Sequence, residues 1–191
     1  MTARRLNDAR LLTAKQWAEL PEDTEGELVD GRLVEEELPT REHELAVAWL
    51  CTRLLTYLED RGGSVLTSDH KYGTGPKRGR KPDLSVVLPG RPRLDAKDNL
   101  TTVPPDIMIE VITATPRDHA RDRVDKVHEY ARFGVRWYWL VDPAAQTVEI
   151  LQLGPRKRYA RFVAASRGSL KVPGCRGLSL DLDALWRYAR R

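Results

Sequence analysis

The stretch Pro105-Asp106-Ile107-Met108-Ile109-Glu110-Val111-Ile112 places one glutamate inside an otherwise apolar run. The run from Ile107 to Ile112 is rich in β-branched residues and follows a proline pair, so it predicts a buried central strand. An ionised carboxylate that leaves water without a partner loses several kcal/mol of hydration. We therefore expect a metal ion, a basic side chain or a proton beside Glu110.

A second apolar run, Leu84-Ser85-Val86-Val87-Leu88, follows Asp83 and predicts another strand that begins beside a carboxylate. Alternate residues of a strand share a face. If the two strands are neighbours, Asp83 and Glu110 therefore lie close together at one edge of the sheet. Carboxylate and carbonyl oxygens suit Mg²⁺ or Mn²⁺, and such an ion activates water for phosphodiester hydrolysis. The alternative is that Asp83 caps a turn and Glu110 pairs with an arginine.

Lys126 is the third candidate, on a helix predicted from about Asp118 to Phe133 and ended by Gly134. At about 100° per residue, the predicted core stripe of this helix contains Ala120, Val124, Val127 and Ala131. Lys126 then falls on the shoulder of the stripe, from where it can reach the scissile phosphate or orient the attacking water. The alternative is an ordinary surface ion pair with Asp122, which stabilises a helix by only tenths of a kcal/mol.

Two further acids stand near predicted element ends. Glu27 opens a hairpin candidate over Glu27–Val34, in which Asp30-Gly31 supplies the positive φ angles of a type I′ turn. Glu44, beside His43, lies at the start of a long predicted helix. Either acid could add a ligand for a metal ion or a water molecule.

Basic residues crowd into one acid-free segment, from His70 to Pro82, that also contains three glycines. With a formal net charge of +4, this composition permits a nucleic-acid partner and predicts a flexible basic loop. The residues expected to contact phosphates are Lys71, Lys77, Arg78, Arg80 and Lys81, with Arg117 and Arg121 from the following helix. A solvated surface loop is the alternative.

The remaining patterns predict an α/β fold in one domain over residues 1–191. The other predicted elements are a short helix opened by Thr13, a helix from Thr40 to about Gly62, strands over Trp137–Val141 and Thr147–Leu153, an edge strand over Tyr159–Val163, and a closing helix near Leu182–Tyr188. The residues of the long helix predicted to face the sheet are Leu45, Trp49, Leu50, Leu54, Leu55 and Leu58. No apolar stretch reaches the roughly 18 residues of a membrane span, no secretory signal is visible, and the cytoplasm is the expected location.

Several of these segments together resemble a bacterial family described as putative restriction endonucleases, within the PD-(D/E)XK nuclease superfamily. The segments that carry the resemblance are Leu28-Val29-Asp30-Gly31, Lys81-Pro82-Asp83-Leu84, residues 105–112, Lys126, Tyr130-Ala131-Arg132-Phe133-Gly134-Val135 and Tyr138-Trp139-Leu140-Val141-Asp142-Pro143. The resemblance covers roughly residues 13 to 186. It implies a restriction endonuclease-like mixed β-sheet flanked by helices, with an N-terminal β-hairpin.

The resemblance also implies roles for individual residues. Asp83 corresponds to the first acid of the superfamily, Glu110 to the second, and the backbone carbonyl of Val111 to a further metal ligand. Ile112 stands where the superfamily motif usually has lysine, and Lys126 is the substitute on the following helix. Mg²⁺ or Mn²⁺ is the implied cofactor and DNA the implied partner.

Three hypotheses for function follow. The first is a metal-dependent DNA endonuclease, in which Glu27 is an auxiliary catalytic acid and a homodimer cuts two strands. The second is a catalytically inactive nuclease-like fold that binds nucleic acid through its basic loop. The third is an oligomeric structural or accessory protein whose interface uses exposed aromatic residues such as Trp137, or the hairpin.

Overall fold

The computed structural model describes residues 11–21, 24–35, 38–91, 99–113 and 121–191. Within these ranges the α-helices are α1 (Ala14–Ala18), α2 (Arg41–Leu58), α3 (Lys126–Phe133) and α4 (Leu182–Ala189), and a π-helical turn over Arg121–Asp125 precedes α3. The strands are β1 (Glu27–Val29), β2 (Arg32–Val34), β3 (Ser64–Thr67), β4 (Tyr72–Gly75), β5 (Arg78–Arg80), β6 (Leu84–Val87), β7 (Ile107–Val111), β8 (Trp137–Asp142), β9 (Thr147–Gly154), β10 (Arg158–Ala165), β11 (Ser169–Lys171) and β12 (Ser179–Asp181).

The larger sheet has the strand order β10-β9-β8-β7-β6-β3 and is mixed, since β7 and β8 are parallel while the other neighbours are antiparallel. This arrangement confirms the predicted mixed α/β sheet flanked by helices, and β6 and β7 are neighbours as expected. β7 is buried along its whole length, because α2 and α4 cover one face of the sheet and α3 with the smaller sheet covers the other.

The smaller sheet has the order β2-β1-β5-β4. Its β1–β2 hairpin confirms the prediction, and the turn residues Asp30 and Gly31 both have positive φ angles, as a type I′ turn requires. The prediction of a flexible basic loop is wrong, because the segment after His70 forms the β4–β5 hairpin. Alternating Gly and Arg in this hairpin pack against Trp17 and buried acids, an arrangement that charge and glycine content alone did not indicate.

Helix α2 begins after Thr40, whose hydroxyl accepts a hydrogen bond from the amide of His43 and so caps the helix. Of the residues predicted to face the sheet, Trp49, Leu50, Leu54 and Leu58 are buried. Leu45 is half-buried, and Leu55 is 49% exposed, because the helical rotation from Leu54 turns it toward solvent.

The π-helical turn before α3 corrects the predicted core stripe. A π turn is wider than an α turn, since its hydrogen bonds span five residues, and the 100° spacing therefore fails across it. Val124 is 53% exposed, whereas Asp122 and Lys126 are buried. Of the other predicted positions, Ala131 is buried, Val127 is half-buried, and Ala120 lies outside the described residues. Lys126 thus lies on the inward face of the helix rather than on its shoulder.

The principal core packs α2 and α4 against one face of the larger sheet. Trp137 and Trp139 both belong to this core, so the hypothesis of an interface through an exposed Trp137 is wrong. None of the helices in the described ranges is long and apolar enough to cross a membrane.

Gly79 allows the closest approach between the smaller sheet and α1. A Cβ atom at this position would lie 2.3 Å from ring carbons of Trp17, whereas a Cβ at Gly75 of the same hairpin would meet nothing nearer than 3.7 Å. We predict that Gly79→Ala lowers the free energy of unfolding by about 1–3 kcal/mol through overpacking, with Gly75→Ala as the matched control. Equal urea midpoints for the two variants would contradict this.

Candidate active site

A cavity of about 240 Å³ opens where the start of α2, the beginning of β6 and the end of β7 meet. Its lining includes His43, Lys81, Asp83, Glu110, Val111, Arg121 and Asp122. The predicted pair of strand carboxylates therefore shares one cavity wall. The register explains why: Leu84 pairs with Ile109, and one further step places Asp83 opposite Glu110.

The Asp83 carboxylate is held by one of its two oxygens. Oδ2 accepts a hydrogen bond from the amide of Val111 at 2.7 Å and lies 3.2 Å from Nε2 of His43. Among the described residues, no donor reaches Oδ1. The side chain is thus fixed in orientation while one hard oxygen stays available to a ligand in the cavity.

His43 contacts Asp83, although the sequence patterns gave His43 no functional role. Burial alone would lower the pKa of His43, but Asp83 and Glu44 raise it, which favours an imidazolium that donates to Asp83. The position of His43 in the sequence could have indicated that its side chain points inward. It lies three residues before Ala46 and seven before Leu50, on the buried face of α2.

Glu110 is buried, and both of its oxygens are engaged. Oε2 lies 3.0 Å from Nζ of Lys126, and Oε1 accepts a hydrogen bond from the Tyr130 hydroxyl at 2.6 Å. Burial raises the pKa of Glu110 well above its ordinary value; Lys126 opposes this shift, while nearby carboxylates such as Asp122 add to it. The basic partner expected beside Glu110 is therefore a lysine and not an arginine.

Lys126 is 1% exposed and stands among three acids. Besides Glu110, its Nζ lies 3.3 Å from Oδ1 of Asp122 and 3.6 Å from Oε1 of Glu27. The Asp122–Lys126 pair does exist, but both side chains are buried, so the alternative of an ordinary surface pair is wrong. A buried ammonium among carboxylates interacts far more strongly than a surface pair, because water does not screen it.

Glu27 lies behind Lys126 rather than on the cavity lining. Burial alone would raise the pKa of Glu27, yet Lys126 and Arg80 bring it down to about 2. One of its oxygens pairs with Arg80 at 2.7 Å, and the other accepts from the amide of Lys81 at 2.9 Å. The structure therefore places Glu27 where it positions Lys126 and Arg80.

Two of the predicted phosphate-contacting residues belong to a buried ionic network. Arg80, 1% exposed, pairs with Glu27 and with Glu129, each at 2.7 Å. Arg78 pairs with Glu129 at 2.9 Å and with Asp30 at 2.7 Å. Arg80 has no accessible surface to offer a nucleic acid, because its guanidinium is committed to the interior.

The other predicted phosphate contacts are dispersed. Nζ of Lys71 lies 5.3 Å from the centre of the Trp17 ring, and Lys77 is exposed at the hairpin turn. Lys81 and Arg121 line the cavity. Arg117 lies outside the described residues.

The cavity wall carries oxygen atoms of the kind that could hold a hard divalent cation. Asp83 offers an unengaged carboxylate oxygen, and Val111 lines the cavity beside it, whereas a cation would have to share the Glu110 carboxylate with Lys126 and Tyr130. In the described part of the chain, no three His, Cys, Asp or Glu side chains group into a metal site by themselves. Two carboxylates with a backbone carbonyl leave coordination positions to water, which Mg²⁺ characteristically retains.

The sequence model of the Uma2 family, described as "Putative restriction endonuclease", matches residues 13–183. The chain is also similar to the crystal structure of a putative nuclease belonging to DUF820 from Anabaena variabilis, at 21% identity and a TM-score of 0.72 over 93% of this chain and 99% of the other. At that identity the likeness shows the fold. No curated protein matches the chain.

The ionic network behind the cavity gives a pH-dependent prediction. Burial alone would raise the pKa of Glu129, but Arg80, Thr74 and Arg78 lower it below the ordinary value of 4.5. Stability from the ionised Glu129 is therefore present above pH 4.5 and is lost as the pH falls through the lowered pKa. Glu129→Gln should reduce the free energy of unfolding by about 3 kcal/mol at neutral pH, because it breaks a buried pair.

Urea unfolding of wild type and Glu129→Gln at neutral pH and below pH 4.5 measures this effect. The difference in stability should shrink in acid as the wild type itself protonates. Asp125→Asn is the matched control, since Asp125 is an exposed acid at the start of the same helix without a capping hydrogen bond. A difference that is absent at neutral pH, or unchanged in acid, would contradict the prediction.

Proposed function

Because the chain belongs to the Uma2 family of putative restriction endonucleases, we propose that it is a divalent-metal-dependent DNA endonuclease that hydrolyses phosphodiester bonds. One observation carries the proposal. Asp83, with one oxygen uncommitted, and Glu110, paired with the buried Lys126, share a single cavity wall. This is an acid–acid–lysine set of the kind that phosphoryl chemistry uses.

The proposed cation is Mg²⁺ or Mn²⁺, held by the carboxylates of Asp83 and Glu110 and by the carbonyl of Val111. When bound, such an ion supplies Lewis-acid chemistry: it lowers the pKa of a coordinated water and offsets negative charge on the phosphate. The carboxylates supply the hard oxygen ligands that these ions prefer.

Lys126 is proposed to stabilise negative charge on the scissile phosphate and to hold Glu110 in place. Its ammonium lies directly behind the Glu110 carboxylate of the cavity lining and is held there by Glu27 and Asp122. Tyr130 fixes the other oxygen of Glu110. A charge so oriented before substrate arrives costs little reorganisation in the transition state, which is the main advantage of a preorganised site.

Asp83 is proposed to be oriented by His43 and by the Val111 amide, both of which contact Oδ2. Oδ1 then faces its ligand without competition. His43 is a positioning residue, since it acts through Asp83 and has no assigned contact with the reacting atoms.

The alternative of an inactive nucleic-acid-binding protein has one observation in its favour, because both oxygens of Glu110 are already engaged by Lys126 and Tyr130. The basic segment that first suggested this alternative supports it less well, since Arg78 and Arg80 of the basic hairpin are paired with buried acids. The two functions differ in whether the carboxylates are needed for cleavage.

The test is cleavage of supercoiled plasmid, linear duplex and single-stranded circular DNA with Mg²⁺ or Mn²⁺. Asp83→Asn and Glu110→Gln should each reduce the cleavage rate by more than about 100-fold, because losing roughly 3 kcal/mol of stabilisation costs about two powers of ten. Asp60→Asn, an exposed acid just beyond α2, is the control. Full cleavage by the folded Asp83 and Glu110 variants would refute the assignment.

The positioning role of His43 gives a separate prediction. His43→Leu should weaken Mn²⁺ binding by about 10- to 100-fold, as loss of a group that orients a metal ligand typically does. His43→Gln, which keeps a side-chain N–H, should recover much of the affinity. Calorimetric titration with Mn²⁺ measures both, and unchanged affinity in the leucine variant would show that Asp83 does not depend on His43.

A further inference from the structure

The face formed by α2 and α4 carries a second concentration of arginines, away from the basic hairpin. A cleft of about 390 Å³ between the two helices is lined by Trp49, Arg53, Arg187, Tyr188 and Arg191, among others. Arg187 also lines an adjacent cleft of about 350 Å³.

We propose that this face, and not the β4–β5 hairpin, binds the phosphate backbone of the DNA on which the cavity acts. The proposal rests on the proposed nuclease function and adds to it the surface along which the substrate lies. It requires arginines that have no carboxylate partner and whose guanidinium groups are held in a fixed orientation. It also requires that these arginines lie on a surface that leads to the cavity.

The arginines of this face differ from those of the hairpin in their partners. Arg78 and Arg80 are both paired with Glu129. By contrast, no carboxylate of the described residues forms an ion pair with Arg53 or Arg187. The positive charge is therefore available to an external anion, and the α2–α4 cleft has no acidic residue in its lining.

Aromatic rings hold two of these guanidinium groups in place. The Arg53 guanidinium lies 5.0 Å from the centre of the Trp49 ring, and that of Arg191 lies 5.2 Å from the centre of the Tyr188 ring. A stacked guanidinium keeps the N–H groups at its edge free to bind phosphate oxygens. Stacking also lowers the conformational entropy that the side chain would lose on binding.

The face and the cavity both reach the N-terminal end of α2, where His43 lines the cavity. Arg41, two residues before His43, donates a hydrogen bond at 2.6 Å to the main-chain oxygen of Arg191. From Arg41 to Arg53 helix α2 rises about 18 Å at 1.5 Å per residue. That length spans about five phosphates of one DNA strand at 3.4 Å each. A strand that enters the cavity can therefore continue along this face.

The test is fluorescence anisotropy of a labelled DNA duplex, titrated with the full chain in EDTA at several salt concentrations. The double variant Arg53→Gln/Arg187→Gln should weaken binding by at least about tenfold. Its slope of log K against log salt should be shallower by about 1.8, or 0.9 for each lost phosphate contact.

The matched control is Arg136→Gln/Arg158→Gln, which removes the same charge from two exposed arginines elsewhere, one of them also near a tryptophan ring. This control should bind like wild type. Circular dichroism and thermal unfolding should show both doubles folded, since all four side chains are exposed.

Three results would overturn the proposal: no duplex binding by wild type, wild-type affinity and slope in the Arg53/Arg187 variant, or equal losses in both doubles. Because EDTA removes the divalent cation, a failure to cleave DNA would refute the proposed function without changing these binding curves.

Discussion

The burial of the Lys126 ammonium among three carboxylates is the constraint on which the rest of the structure depends. Glu110 comes from the larger sheet, Glu27 from the smaller sheet, and Asp122 from the turn before α3. Each of these buried charges would be costly alone, and each is tolerable because the others are present. Arg80 and Glu129 extend the network, so the ionic interior joins both sheets and one helix behind the cavity.

The charged residues inside this network and those outside it have different roles. The acids and bases of β1, β5 and α3 pair with one another behind the cavity lining. Asp83, at the outer wall, is fixed through Oδ2 alone and offers Oδ1. Arg53 of α2 and Arg191, just after α4, have aromatic neighbours instead of acids. Thus structural ion pairing, ligand binding and the proposed backbone contact use different groups.

The sequence predicted those features that local chemistry determines. The β-branched run around Glu110, the Asp30-Gly31 turn and the Thr40 cap each encode their element within a few residues, and the structure confirms all three. The nearness of Asp83 and Glu110 also followed, because alternation and strand pairing fix it.

What the sequence did not predict depends on contacts distant in the chain or on irregular backbone. Arg80 looked like a surface residue because its partners, Glu27 and Glu129, lie 53 and 49 residues away. Lys126 was misplaced because the 100° rule assumes an unbroken α-helix, and the π-helical turn breaks it.

We propose above all that Asp83 and Glu110 together hold a divalent cation beside Lys126. Anomalous diffraction from crystals grown with Mn²⁺ tests it most directly. The account predicts an anomalous peak between the two carboxylates that Glu110→Gln removes, and a cavity without such a peak, with Glu110 still paired to Lys126, would contradict it.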